Sequence, residues 1–390
     1  MKYMGHKGRI LGAIRARVAG MAEDARILCD PFCGSSVVAW DLAEHFDKSV
    51  IAGDLQSFAT ARAAAILARS RPITNFDFID AWYQRAQDEI EKVSRALRIP
   101  PPPAVNLKER FLLSRAAVKR ARGYVANSLA TRLRVAGNPW PITTSYAGYY
   151  FSIQQALVLD ALRSTLPDDP DSRTVALAAL IAGASKCSAS PGHTAQPLGI
   201  KKSSLPHVID AWNRPVLEYI REEITAIGPR FARVVGRTVV GSWETILQTL
   251  SPGDVAFCDP PYSDVHYSRF YHVLETLTRG TRVTVSGSGR YPPFPERPAS
   301  NFSRKSKAEL EVKKLMKIAS ERKIKLVITF PASRQSNKLA ASTFVRIAKQ
   351  HFDNVDTEDV KSVFSSLGGA GENGTRPARK ERTERIICCY

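Results

Sequence analysis

The sequence predicts an α/β protein whose mainly parallel sheet is assembled from both ends of the chain around an inserted, mainly helical lobe. Three observations predict it. Continuous apolar runs suited to buried parallel strands occur near the start of the chain and return after residue 236. The early runs alternate with a helical pattern. The long stretch between the two sets is basic, interrupted by prolines and helical in period. At 390 residues the chain also exceeds the ~250–300 that one hydrophobic core commonly serves, so two lobes are expected.

In chain order, Arg26–Cys29 reads as the first strand, Ser36–Glu44 as a helix after a turn, and Ser49–Gly53 as the second strand, which opens a βαβ unit. Residues 1–75 form the first part of the core on this reading, 76–235 the insertion and 236–390 the second part. Within the insertion come the break Ile99–Pro103, a basic helical stretch from Lys108 to Arg134, helices over Ser152–Ser164 and Ser172–Ala184, and a polar loop, Ser185–Pro197. Strands follow at Arg237–Val240, Asp254–Cys258 and Lys325–Phe330, with an irregular segment from Gly280 to Lys307. A turn at Gly368–Gly374 precedes a last strand, Arg385–Cys388.

A formal net charge of +19 attracts polyanions, and nucleic acid is the expected partner. No apolar run of ~18 residues and no signal-like start is evident, so a cytoplasmic, nucleoid-associated location is expected. The six cysteines lack paired zinc spacing and are expected to be reduced structural thiols, with no metal site.

The chemistry concentrates in two tetrapeptide-scale motifs. Asp259-Pro260-Pro261-Tyr262 follows a buried strand, and in open parallel sheets ligands bind beyond the carboxyl ends of strands. Two prolines fix the backbone and remove two donors, leaving carbonyl acceptors. A ring-conjugated amine is a poor nucleophile until acceptors draw on its two protons; Asp259 and the Pro260 carbonyl are suited to both, and Tyr262 offers a face for an extruded base. The second motif, Asp30-Pro31-Phe32-Cys33-Gly34-Ser35-Ser36, closes the first strand and opens the first helix, with a glycine where a ligand approaches closely. Gly53-Asp54-Leu55 ends the second strand with an acid suited to ribose hydroxyls. No phosphate-cradling G-x-G-x-x-G is present, which favours a cofactor without phosphates.

Together with Lys2-Tyr3-Met4-Gly5-His6-Lys7, these motifs resemble, in the same order, those of the Dam-like adenine-specific DNA methyltransferases. The resemblance implies a Rossmann-like methyltransferase sheet with a target-recognition insertion, S-adenosyl-L-methionine as cofactor, and methyl transfer to the exocyclic amino group of an adenine flipped out of double-stranded DNA. It implies that Tyr3 and Lys7 border the cofactor, that Asp30, Pro31, Phe32, Cys33, Gly34 and Ser35 wrap its methionine moiety, and that Asp54, with Leu55 beside it, binds ribose. Asp259, Pro260, Pro261 and Tyr262 would hold the target base. A monomer, with a cognate restriction or defence system as a further partner, fits the same picture. Two positions depart from the family: Ser36 replaces a usual second glycine and is expected to narrow the approach to the methionine end, and Ser242 stands where an acid often contacts the cofactor's adenine.

For DNA contact, the Lys108–Arg134 run has eight Lys/Arg against one acid, Glu109. Arg115, Lys119 and Arg122 fall on one helical stripe and Arg120 beside it, an arrangement that tracks a phosphate backbone. His266, Tyr267 and Arg269, close behind the Asp-Pro-Pro-Tyr turn, are candidates for phosphate or base contacts. Two other readings fit these residues: an RNA or protein methyltransferase of the same fold, and a catalytically silent DNA-binding scaffold. The Lys-Tyr-x-Gly element weighs against the first, and intact Asp259 and Tyr262 weigh against the second.

Overall fold

The structure, a computed structural model, describes residues 7–96, 111–135, 139–365 and 379–390. Tyr3, the proline break at 99–103 and the expected turn at 368–374 lie outside the described residues. In chain order the elements are α1 (Leu11–Ala19), β1 (Ile27–Asp30), α2 (Val37–His45), β2 (Ser49–Asp54) and α3 (Ser57–Leu67). Then follow α4 (Phe78–Ala96), α5 (Phe111–Tyr124), α6 (Ala130–Val135), α7 (Pro141–Tyr146), α8 (Ile153–Ser164), α9 (Pro170–Cys187), α10 (Leu205–Trp212) and α11 (Val216–Ile227). The chain continues through β3 (Arg237–Val240), α12 (Trp243–Leu247), β4 (Val255–Cys258), α13 (Ser268–Arg279), α14 (Ala308–Glu321), β5 (Lys325–Pro331), α15 (Ala341–Ala348), β6 (Val355–Ser365) and β7 (Arg379–Cys389).

These elements form two compact units. One comprises Tyr3–Pro72, Arg230–Ser268 and Pro298–Tyr390; the other contains Ile73–Pro229 together with Arg269–Arg297, a segment that the sequence had placed in the second part of the core.

The first unit carries a mixed α/β fold built on one seven-stranded sheet, in the order β3-β2-β1-β4-β5-β7-β6. β3, β2, β1, β4 and β5 run parallel, while β7 is antiparallel to both β5 and β6. The central strands are covered on both faces, which is why they read as unbroken apolar runs: Leu28, Cys29 and every residue of β4 are buried. β1 pairs with β2 on one side and with β4 on the other. The chain therefore leaves β1 in one direction along the sheet and later continues from it in the other. Such a switch point opens a crevice beyond the carboxyl ends of β1 and β4, which bear Asp30 and Asp259.

β6 was not anticipated, and β7 extends well before the expected start at Arg385. Both strands mix charge into the alternation, as an edge hairpin should, and Arg385 makes a paired contact to Asp359 at 2.6 and 2.7 Å.

The second unit is helical. Trp82 of α4 is fully buried and its indole donates to the Leu162 carbonyl at 3.0 Å. On α5, Ser114, Ala117, Val118 and Ala121 are buried, whereas Arg115, Lys119 and Arg120 are exposed. Arg122 is placed differently: its guanidinium donates to the Gly148 carbonyl at 2.7 Å, lies 4.4 Å from the Tyr149 ring centroid and is half-buried. A π-helical turn, Val125–Leu129, follows α5. Helix α9 runs to Cys187, into the segment expected as a loop. Among the described residues no helix is long and apolar enough to cross a membrane, and no group of His, Cys, Asp and Glu is arranged to hold a metal. All six cysteines are buried and free.

Candidate active site

The turn after β1 is held from inside. Asp30 is buried and accepts the Phe32 N–H at 3.2 Å; burial raises its pKa well above the carboxylate range, with that hydrogen bond opposing. Cys33 donates its N–H to the Gly53 carbonyl at 2.9 Å, tying the turn to β2. Gly34 turns with φ 43° and gives its N–H to Asp54 Oδ2 at 3.0 Å, while Gln56 gives its N–H to Oδ1 at 2.9 Å. Gly53 packs closely against α12, since a Cβ there would stand 2.1 Å from Ile246 Cδ1 and force that side chain to shift.

Ser36 takes φ 68°, the left-handed region that favours the glycine it replaces. Its hydroxyl is buried and donates to the Ala59 carbonyl of α3 at 3.0 Å. The expectation that Ser36 narrows the ligand approach is therefore corrected: the side chain turns towards α3 and does not line the cavity.

Beyond β4, Asp259 Oδ1 accepts the Thr329 hydroxyl at 3.0 Å and faces the Lys7 ammonium at 3.1 Å. Lys7 also meets Glu384 Oε2 at 2.9 Å, and both Lys7 and Glu384 are buried. Burial pulls the Lys7 pKa down, but the two carboxylates outweigh it and the ammonium stays protonated. Burial raises the Asp259 pKa; Lys7 lowers it and Glu384 raises it further. Asn337, fully buried, donates to the Pro261 carbonyl at 3.1 Å and to the Phe302 carbonyl at 3.0 Å, which fixes the two-proline turn. The Tyr262 ring packs edge-on against Phe330 at 6.3 Å, and the Tyr262 and Tyr267 phenols lie close enough to influence each other.

These walls enclose a cavity of about 180 Å³. That is several times the ~30 Å³ share of one water molecule, so an organic ligand can enter. Of the residues expected to contact a cofactor or base, Lys7, Asp30 to Ser35, Asp54, Leu55, Asp259, Pro261, Tyr262 and Tyr267 line it. Pro260 is buried outside the lining, and the half-buried His266, whose Nδ1 meets the Ser268 hydroxyl at 2.6 Å, also lies outside it. Arg269 lies in the helical unit with its guanidinium 4.8 Å from the Tyr291 ring centroid. Ser242 lines the cavity but serves as the N-cap of α12, accepting the Thr245 N–H at 3.2 Å.

The acids of this wall lie elsewhere. Glu244 lines it, paired with Lys314 at 2.6 Å, and buried Glu311 accepts the Trp243 indole at 3.0 Å and the Asn301 amide at 3.2 Å. Neither glutamate was expected. Glu244 was findable, because it stands two residues beyond the position where an acid was missing; Glu311 sits in a helix whose pattern reads as solvated.

The cavity is rich in acids: among the described residues Asp30, whose burial favours the neutral form, and Asp54, Glu244, Asp259 and Glu311 line it against one cation, Lys7, already engaged by two carboxylates. Within a chain of net charge +19 this is a local reversal of sign. It disfavours a phosphate-bearing ligand and suits a cationic, hydroxyl-bearing one.

No protein-family model matches the chain. It is similar to Modification methylase LlaI of Lactococcus lactis subsp. lactis, 41% identical over 66 residues, which are 17% of this chain. The aligned stretch spans about a tenth of the length of that relative. Over that stretch the chain is related to a modification methylase.

Proposed function

We propose that the protein is an S-adenosyl-L-methionine-dependent DNA methyltransferase acting on the exocyclic amino group of adenine. The observation that carries the proposal is the acid-lined cavity at the carboxyl ends of β1 and β4 in an otherwise strongly basic chain. S-adenosyl-L-methionine has a sulfonium, an ammonium and ribose hydroxyls but no phosphate, and it fits that lining. The similarity to a modification methylase and the Asp-Pro-Pro-Tyr turn support the same reading.

The residues divide the work. Asp30 and the turn to Ser35 face the methionine end, Asp54 the ribose, and Trp243 with Glu244 the cofactor's adenine. When bound, the cofactor supplies the activated methyl group and its own leaving group, so the protein needs to position, desolvate and polarise. Asp259 and the Pro260 carbonyl accept hydrogen bonds from the two N–H groups of the target amine, drawing its lone pair out of ring conjugation. Asn337 occupies the neighbouring Pro261 carbonyl, and no described residue donates to that of Pro260. Tyr262 stacks on the extruded base. The exposed basic residues of α5 engage phosphates.

Incubation of the protein with methyl-labelled cofactor and unmethylated genomic DNA, followed by digestion to nucleosides, tests the proposal. Label is expected in adenine methylated at its exocyclic nitrogen. Label confined to RNA, protein or cytosine, or no transfer, would overturn it.

A further inference from the structure

We propose that Glu384 is a positioning residue of the reaction centre: by sharing Lys7 with Asp259, it leaves Asp259 one free, electron-rich oxygen for the substrate amine. The inference rests on the reading of Asp259 as the amine's acceptor. Both partners of Asp259, the Thr329 hydroxyl at 3.0 Å and the Lys7 ammonium at 3.1 Å, meet the same oxygen, Oδ1. Among the described residues Oδ2 has no partner. The Asp259 side chain keeps 17% exposure while Lys7 has 3% and Glu384 5%, so the cluster is closed except at the acceptor.

Strand geometry explains why Glu384 arrives there. In the β5–β7 ladder Thr329 stands opposite Ile386 and Pro331 opposite Glu384, so Thr329 and Glu384 project from one face of the sheet. Arg382, two residues earlier, shares that face and holds its guanidinium 6.0 Å from the Tyr262 ring centroid. One antiparallel strand thus supplies Glu384 to Lys7, behind Asp259, and Arg382 to the Tyr262 ring.

Charge decides what the arrangement does. An ammonium paired with one carboxylate strips that carboxylate of basicity; shared between two, it leaves a net negative cluster whose acceptor stays strong. Among the described residues, the charged and titratable groups that act on Asp259 include Lys7 from the N-terminal segment, Glu384 from β7, Asp30 from β1, Cys258 from β4 and Tyr267 from the loop beyond Tyr262, with Arg382 of β7 over the Tyr262 ring. Glu384 is the one among them that also holds Lys7.

Carbon-13 NMR of protein labelled at aspartate carboxyls, with the Asp259 signal assigned by Asp259→Asn, reads the effect without activity. Glu384→Gln keeps an acceptor for Lys7 but removes the charge, and the Asp259 midpoint should fall by about 1 unit or more. The acid limb of the single-turnover rate should move down with it, kcat should drop and KM for DNA should hold. Glu384→Asp should restore both. Should Glu384→Gln fail to fold, Glu384→Ser, which also removes the charge beside an intact Lys7, must lower the midpoint in its place. An unchanged or raised midpoint overturns the inference. A lowered midpoint in a protein that transfers no methyl group upholds the charge sharing and removes the proposed function instead.

Discussion

Gly34 gives its backbone N–H to Asp54 Oδ2 at 3.0 Å, so the acid at the end of β2 fastens the turn that follows β1. Its other oxygen holds the Gln56 N–H, and the residue lines the cavity. Asp54→Ala is therefore expected to cost both a ribose contact and the shape of the wall. Affinity for S-adenosyl-L-methionine, measured by calorimetry without DNA, should weaken by at least about 1.5–3 kcal/mol, the range for hydrogen bonds to a charged group. Unchanged affinity would show that β2 does not end at the ribose.

On the proposed function, Asp259→Ala removes the acceptor of the target amine. Single-turnover methyl transfer should fall by about 10²–10³, the common loss for one preorganised electrostatic group, while cofactor affinity stays within a few-fold. Tyr262→Ala should be as severe and Tyr262→Phe much milder, because stacking needs the ring. Equal losses for the two Tyr262 variants would shift the role to the hydroxyl.

Ser36→Gly balances two small terms. A left-handed φ costs a non-glycine residue roughly 1–2 kcal/mol, and the buried hydroxyl bond to Ala59 returns about 1 kcal/mol. Stability by urea titration should thus change little or rise slightly, with cofactor affinity unaltered, since the side chain faces α3. A several-fold change in affinity on this substitution would place residue 36 back at the ligand.

How much was legible follows the burial of each element. β1, β2, β4 and β5 announce themselves because strands covered on both faces must be apolar, and Asp30, Asp54 and Asp259 stand out as the polar residues that end them. β6 escaped notice for the opposite reason: Asp356, Glu358 and Asp359 make an edge strand look like a solvated loop. Glu384 lies one residue before the expected start of the last strand, and nothing local distinguishes it from Glu381, its neighbour in the same charged run; only the ladder with β5 brings it to Lys7. Arg122 fitted the basic stripe by spacing, yet the turn at Gly148 claims it.

His272 offers a pH test of the helical unit. It is buried, ringed by Tyr146, Tyr150 and Tyr291 at 5.6, 5.9 and 5.0 Å, and burial lowers its pKa to about 4. A folded pKa below the unfolded one means that the stability it contributes is fully present above about pH 6.5 and is lost as pH falls towards 4. At ~1.4 kcal/mol per unit the loss is on the order of 3 kcal/mol. His272→Phe, which keeps a ring in the cluster, should therefore gain on the parent protein as pH falls from 7.5 to 4.5 in urea titrations. A stability gap that does not vary with pH would mean that His272 titrates alike in both states.

The basic face of α5 can be tested with the members that are free to act. Arg115, Lys119 and Arg120 are exposed, and none appears in an ion pair among the described residues. Arg122 is excluded, because removing it would break its bond to the Gly148 carbonyl and confuse a lost phosphate contact with a loosened helix. If the three exposed side chains each neutralise one phosphate, replacing all three by Gln should flatten the log–log dependence of DNA affinity on salt by about 0.9 per contact, roughly 2.7 in all. The loss should be nearly equal for every DNA sequence, since phosphates carry no sequence information, and cofactor affinity should hold. Arg122→Gln alone should instead lower the melting temperature and leave the salt slope unchanged. A helix that only keeps the protein soluble makes the opposite forecast: binding isotherms across a salt series would superimpose for the triple variant and its parent, and that outcome would take α5 out of the DNA interface.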